Sequence, residues 1–288
     1  MMANRIIVTG GDGQLGNCLR DLSSRYKSYE FIFTDVAQLD ITDEKAIADF
    51  FKAQKPKWVI NAAAYTAVDK AESEPEKAQL LNATAVENLA RQSKSVGAAL
   101  VQISTDYVFD GNTEEMLTEE MPVNPQSVYG VTKLAGEKAA ALNPAHIILR
   151  TSWLYSAYGN NFVKTMRRLA SERTELSVVA DQWGSPTLAD DLAEAIMTAI
   201  VAADKGEDVY GTYHYSNEGA TCWADFASHI MTLSSLECHV KGITTAEYPT
   251  AATRPHFSVM SKSKFKNKFK VVIPEWELSL EYLIHKME

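Results

Sequence analysis

Cysteine is scarce in this chain: Cys18, Cys222 and Cys238 are the only three in 288 residues. An odd, scattered set with no CxxC spacing excludes a disulfide framework and reads as reduced thiols in a cytoplasmic protein. The six histidines are also dispersed, without ligand-like spacing, so no metal site is expected. No apolar run approaches the ~20 residues of a membrane span. Basic charge is in deficit, with 28 Lys and Arg against 37 Asp and Glu and a net charge of −9. That deficit excludes broad binding to a nucleic-acid backbone, though not a nucleotide ligand. Internal repeats and low-complexity linkers are lacking. The chain enters a strand directly at Arg5-Ile6-Ile7-Val8, so no secretory signal is expected.

What is present is an ordinary globular composition, 46% hydrophobic and 23% charged, in a chain long enough for one large domain or two small ones. Short β-branched runs alternate with helical periodicity. Ile6-Ile7-Val8 leads into Thr9-Gly10-Gly11-Asp12-Gly13-Gln14-Leu15-Gly16, after which Leu15, Leu19 and Leu22 recur at helical spacing. Strand, glycine turn and helix in that order form the context of a dinucleotide-binding turn, in which pyrophosphate meets backbone N–H groups at a helix N-terminus. Two registers fit: Gly11, Gly13 and Gly16 spell GxGxxG, while Gly10, Gly13 and Gly16 spell GxxGxxG. Gln14 and Leu15 share the turn.

Further strands are expected at Phe31–Thr34, Trp58–Asn61, Leu100–Ile103 and Ile147–Arg150, with helices over Asp43–Gln54, Asn82–Ala90 and from Tyr129 onward. The pattern predicts an α/β, Rossmann-type, doubly wound parallel sheet. Asp35 ends the second strand, where an acidic group accepts ribose hydroxyls and favours NAD over NADP. Asp40 and Ile41 are expected at the adenine edge, and the small residues Ala62, Ala63 and Ala64 where a flat ring or ribose passes. Ser104 and Thr105 place hydroxyls at the carboxyl end of a parallel strand, where such sheets bind ligands. Tyr129 and Lys133, four apart on one helix face, suggest a phenol whose pKa a neighbouring ammonium lowers, a proton donor for a carbonyl oxygen. Glu114–Pro125 is expected as an irregular flap, and the basic run Lys262–Lys270 as a solvated helix face. A smaller C-terminal lobe is expected from 153–187 and 216–288, with 1–152 and a returning 188–215 forming the cofactor-binding domain.

The order TGxxGxxG, NAAA, strand-end Ser-Thr, then YxxxK resembles the extended short-chain dehydrogenases/reductases. More narrowly, Asn61–Glu72 (NAAAYTAVDKAE), Ser104–Gly111 (STDYVFDG), Tyr129–Lys138 (YGVTKLAGEK), Arg150–Trp153 (RTSW), Asn160–Phe162 (NNF) and Asp181–Thr187 (DQWGSPT) resemble the dTDP-4-dehydrorhamnose reductase family. The resemblance spans residue 5 to Trp276. It implies NADPH- or NADH-dependent reduction of the C4 keto group of a dTDP-4-dehydro-6-deoxy sugar. It also implies that Tyr129 protonates the alkoxide, Lys133 holds the nicotinamide ribose, and Thr105 bonds the substrate oxygen. Thr66, Val68, Tyr107 and Trp153 would line the sugar pocket, and Asn161 and Arg254 would meet the nucleotide diphosphate. A homodimer is left open. Two other readings of the likeness are a non-catalytic regulatory subunit of a methionine adenosyltransferase and a nucleotide-sugar epimerase or dehydratase. The intact Thr105, Tyr129, Lys133 and Trp153 disfavour the first, and the STDYVF stretch disfavours the second.

Overall fold

The structure, a computed structural model, describes residues 4–288. The first half alternates strictly: β1 (Asn4–Thr9), α1 (Gln14–Ser23), β2 (Tyr29–Thr34), α2 (Glu44–Gln54) and β3 (Trp58–Asn61). Then come the short helices α3 (Val68–Ala71) and α4 (Pro75–Gln79), a π-turn at Leu80–Thr84 that runs into α5 (Ala85–Ser95), β4 (Ala99–Thr105) and a 3₁₀ turn at Asp106–Val108. The helix α6 (Val128–Ala140) and the strand β5 (His146–Thr151) close this half. The second half holds β6 (Leu154–Tyr155), α7 (Phe162–Glu172), β7 (Glu175–Val179), β8 (Trp183–Gly184), β9 (Thr187–Leu188), α8 (Ala189–Asp204) and β10 (Gly211–His214). It ends with β11 (Thr221–Cys222), α9 (Trp223–Leu233), β12 (His239–Ile243), α10 (Ser263–Phe269) and α11 (Trp276–Met287).

Six strands make one sheet in the order β10-β5-β4-β3-β1-β2, all parallel. Ile6, Ile7, Val8, Val59, Ile60, Leu100 and Val101 are almost fully buried, because helices cover both faces. On one face α1 and α8 pack over Ile6, Val8, Ile60 and Leu149; on the other, α2 and α5 cover Ile7, Val59, Leu100 and Ile148. A separate apolar cluster, built on Tyr155, Val163, Phe226, Trp276 and Leu280, draws its buried residues from the second half of the chain. Strand order reverses between β1 and β3, and sheets of this kind bind ligands outside the strand carboxyl ends at that point.

Ser104 and Thr105 are at the carboxyl end of β4 as expected, the strand running two residues past Ile103 to pair them with Arg150 and Thr151 of β5. One expectation changes: the basic run is not a purely solvated face. Lys262 is buried against Glu218, which also takes Lys266, and Phe265 of the same segment is fully buried. Among the described residues no helix is long and apolar enough to cross a membrane.

Candidate active site

The glycine turn closes on the end of β3. Gly10 holds φ +67, and a Cβ there would lie 2.7 Å from the Ala63 nitrogen, so only glycine fits both the conformation and the approach. Gly13 stands at the N-cap of α1 with no side-chain cap, which leaves the N–H groups of the first turn to face a ligand. A Cβ on Gly16 would run into the Gly10 carbonyl, which makes Gly16 a helix–strand packing residue; it is not in the crevice wall. Gly11 turns away, donating its N–H to Thr34 O at 2.9 Å. The register that serves the crevice is therefore Gly10, Gly13, Gly16.

The crevice above this turn has a volume of about 760 Å³, within the ~300–1,000 Å³ usual for ligand sites. Gly10, Gly13, Gln14 and Leu15 form its floor, and Asp35, Asp40 and Ile41 its far rim, joined by Val36 and Leu39. Asp35 is held by the N–H groups of Val36 at 2.8 Å and Asp12 at 3.2 Å. Ala62, Ala63 and Ala64 line the middle. A buried hydrogen-bond relay joins three strands: Thr9 Oγ1 donates to Asn61 Oδ1 at 2.7 Å, and Asn61 Nδ2 donates to Gln102 Oε1 at 2.8 Å.

Thr105, Tyr129 and Lys133 converge on the near wall. The Ser127 hydroxyl caps α6 by accepting from Gly130 N at 3.1 Å. Gly130 then lies so close to the Tyr107 carbonyl that no side chain fits, which docks the first turn of α6 on the 3₁₀ turn. Tyr107 and Tyr129 meet edge to face at 5.4 Å. Thr105 Oγ1 donates to Asp106 Oδ1 at 2.9 Å and accepts from Tyr107 N at 3.2 Å. Lys133 Nζ donates to the Ile103 carbonyl at 2.6 Å.

The electrostatics correct one sequence expectation. The Tyr129 pKa is raised and not lowered. Burial pushes the phenol up to about 12; the Thr105 hydroxyl opposes this and the Asp106 charge adds to it. Burial also pulls Lys133 down to about 8, with Glu137 pushing the other way. Burial is the dominant influence on both, and the ammonium is spent on a backbone carbonyl instead of the phenol. Asp106 is driven up to about 6 by burial, and its Oδ2 is left without a geometrically sound hydrogen bond.

Thr66, Val68, Tyr107 and Trp153 reach the crevice as expected, and so does Asn161. Trp153 adopts a left-handed backbone, φ 48, and stacks on Trp223 at 3.5 Å between ring centres. The Asn161 side chain caps α7 and donates to Gln14 Oε1 at 3.0 Å, tying the second lobe to the glycine turn. Arg254 is not brought into the crevice wall: its guanidinium grips both Asp69 oxygens, at 3.0 and 2.6 Å, so the fork expected to meet a diphosphate is filled by a carboxylate. Two residues of consequence escaped sequence reasoning: Trp223 and Glu137. Only Glu137 left a signal, its position four residues after Lys133 on the same helical face.

The uncapped α1 terminus, the Gly10–Ala63 approach and the Asp35 rim fit a nicotinamide dinucleotide laid across the sheet ends. Fold, glycine turn and the Thr–Tyr–Lys wall together define an extended short-chain dehydrogenase/reductase. The RmlD substrate binding domain family matches residues 4–288. A dTDP-4-dehydrorhamnose reductase of Salmonella typhimurium is 45% identical over 257 residues, covering 86% of this chain and 85% of its own. Among solved structures, a dTDP-4-dehydrorhamnose reductase from Clostridium acetobutylicum superposes with a TM-score of 0.94 at 45% identity, covering 98% of this chain and 99% of its own. One from Bacillus anthracis, in complex with NADP, gives 0.94 at 40% identity, covering 99% of this chain and all of its own. The chain belongs to the dTDP-4-dehydrorhamnose reductase family.

Proposed function

We propose that this protein reduces the C4 keto group of dTDP-4-dehydro-6-deoxy-L-mannose to give dTDP-L-rhamnose. The observation that carries the reading is the convergence of Thr105, Tyr129 and Lys133 in one crevice that Trp153 also lines. A bound dinucleotide would supply the hydride; the α1 terminus would hold its pyrophosphate, Asp35 its adenosine ribose, and Tyr129 and Lys133 its nicotinamide ribose.

The residues of the chain do the rest. Tyr129 directs its hydroxyl at the position where negative charge develops on the sugar oxygen, and the Thr105 hydroxyl, which here donates to Asp106 Oδ1, would turn to join it when the sugar is bound. Tyr129 keeps its proton at neutral pH because its pKa stands near 12, so it enters the reaction as an acid and gives that proton to the oxygen. Lys133 holds the ribose and offsets the charge then left on the phenolate. Trp153, Val68 and Thr66 form a half-apolar surface suited to a 6-deoxy sugar. Lobe residues 153–187 and 216–288 take the nucleotide sugar, while 1–152 and 188–215 hold the cofactor. The reaction belongs to the cytoplasm, which agrees with three cysteines that are all free and buried.

The test is oxidation of NADH or NADPH in the presence of the dTDP-keto-sugar. Tyr129→Phe removes one donor to the oxyanion, worth ~3–4 kcal/mol, and should lower turnover 10²-fold or more. Undiminished turnover in Tyr129→Phe rules the mechanism out.

A further inference from the structure

We propose that Glu137 is a positioning residue for this reaction: its buried carboxylate ties the helix bearing Tyr129 and Lys133 to the end of β4 that bears Thr105 and to the end of β5 that leads into Trp153. The inference rests on the reductase reading above.

Glu137 projects from α6 one turn beyond Lys133. Its Oε1 accepts from Ser104 Oγ at 2.6 Å and from Arg150 Nε at 2.8 Å, and its Oε2 accepts from Arg150 Nη2 at 2.8 Å. Both charged side chains are almost wholly buried, at 7% and 6% exposure. Ser104 and Arg150 are themselves register partners on β4 and β5. One carboxylate thus fastens three elements. The residue after Ser104 is Thr105, and three residues after Arg150 is Trp153. The Arg150 guanidinium also lies over the Phe109 ring at 5.1 Å and meets His214 Nε2 at 3.4 Å. Burial holds His214 neutral, with its pKa down to about 3.

This arrangement also bears on the charge of Lys133. On its own helix, Lys133 is flanked by Tyr129 and Glu137. The 3₁₀ turn contributes Asp106 and Tyr107, β5 contributes Arg150, and His214 of β10 lies behind Arg150. On β4, Lys133 donates to the Ile103 carbonyl, and the next two residues, Ser104 and Thr105, are uncharged. From the other side, Glu72 is engaged with Val128 N at the start of α6, Glu74 with Lys70 and Lys77, and Glu87 with Arg91. The π-turn presents Asn82, which is uncharged and bonded to Thr132. Glu137 is the group that raises the Lys133 pKa against the effect of burial. Without it, Lys133 loses its proton nearer neutrality.

The test compares pH profiles of the wild-type protein and Glu137→Gln, reading both kcat for the keto-sugar and the Kd of NADH by fluorescence titration. The alkaline limb of both should move down by about one pH unit in the variant, with KM for the sugar little changed. Glu137→Asp, which restores the charge, should restore the limb while kcat stays low. Because Glu137→Gln leaves Arg150 buried and unpaired, the double variant Glu137→Gln/Arg150→Gln is the second reading and should show the same displaced limb. An unmoved limb in either soluble variant overturns the proposal, as does failure of both variants to yield folded protein, which would make the pair structural only. A wild-type protein that binds NADH but reduces no keto-sugar removes the reductase reading instead, and the NADH-binding limb still decides the role of Glu137.

Discussion

Gly184→Ala tests how Trp153 is held. A Cβ at Gly184 would lie 2.6 Å from Trp153 Cε2 and 2.8 Å from both Cζ2 and Nε1. Ordinary van der Waals contact begins at 3.4 Å, so the indole must shift by about 0.8 Å. The shift has little room, since Trp223 is stacked on the ring at 3.5 Å and Phe226 lies 6.4 Å away. The indole either slides across Trp223 or moves into the crevice it lines. Overpacking of this kind costs about 1–3 kcal/mol of stability. Misplacing a substrate-positioning group by ~1 Å can cost up to 10²-fold in rate. The expected outcome is a ten- to hundredfold loss in kcat/KM for the keto-sugar, with the Kd of NADH unchanged, because the glycine turn and Asp35 are untouched. Steady-state kinetics with varied sugar, NADH fluorescence titration and tryptophan emission measure the three effects. Wild-type kcat/KM together with unaltered tryptophan emission would refute the argument that Gly184 sets the indole position.

Two further substitutions follow from the same geometry. Asp106 has its pKa raised by burial from 3.8 to about 6. The folded protein therefore binds that proton more tightly than the unfolded chain. The resulting stability is complete below about pH 4 and lost as pH rises through about 6. Asp106→Asn, which keeps an acceptor for the Thr105 hydroxyl, should raise the Tm at pH 8 by the equivalent of ~3 kcal/mol, an advantage that shrinks toward pH 4. Thermal melts across that range check it, and equal Tm values at pH 8 count against it. Asp35 crowns an acidic rim with Asp40 that repels a 2′-phosphate, so the protein should use NADH at a lower KM than NADPH. Asp35→Ser should narrow or invert that ratio, and an unchanged ratio would remove Asp35 as its cause.

What the sequence disclosed depended on how far apart the cooperating residues lie. The glycine turn, the strand-end Asp35 and the Tyr129–Lys133 pair are local patterns, and local spacing fixes which face each side chain takes. The choice between Gly10 and Gly11 was not local, because it turns on the backbone of Ala63, brought up by a neighbouring strand. The Arg254–Asp69 ion pair was out of reach for the same reason, its members lying 185 positions apart. Lys262 looked like one more surface cation until the fold buried it against Glu218. The Glu137–Arg150 pair is also invisible locally, since neither residue type marks a core position and only the sheet register brings them together.

The misjudged acidity of Tyr129 has a functional consequence. An ammonium four residues away does lower a phenol's pKa in water, but here both groups are buried, and burial is the largest influence on each. A phenol that holds its proton firmly is poorly suited to accept one from an alcohol, whereas it is always charged with a proton when a keto sugar arrives. Neither property alters the equilibrium of the reaction. At neutral pH, however, nearly every protein molecule is ready to donate, and very few are ready to abstract. The rate of the reductive direction is then carried by the abundant protonation state, and that of the oxidative direction by the rare one. Proton donation leaves a buried phenolate that needs a nearby positive charge for as long as it lasts. Lys133 is the cation on that wall, and its own pKa of about 8 leaves little margin for losing the charge. The pair is thus matched in sequence: burial keeps the phenol protonated before transfer, and the lysine, kept charged by Glu137, stabilises it afterwards.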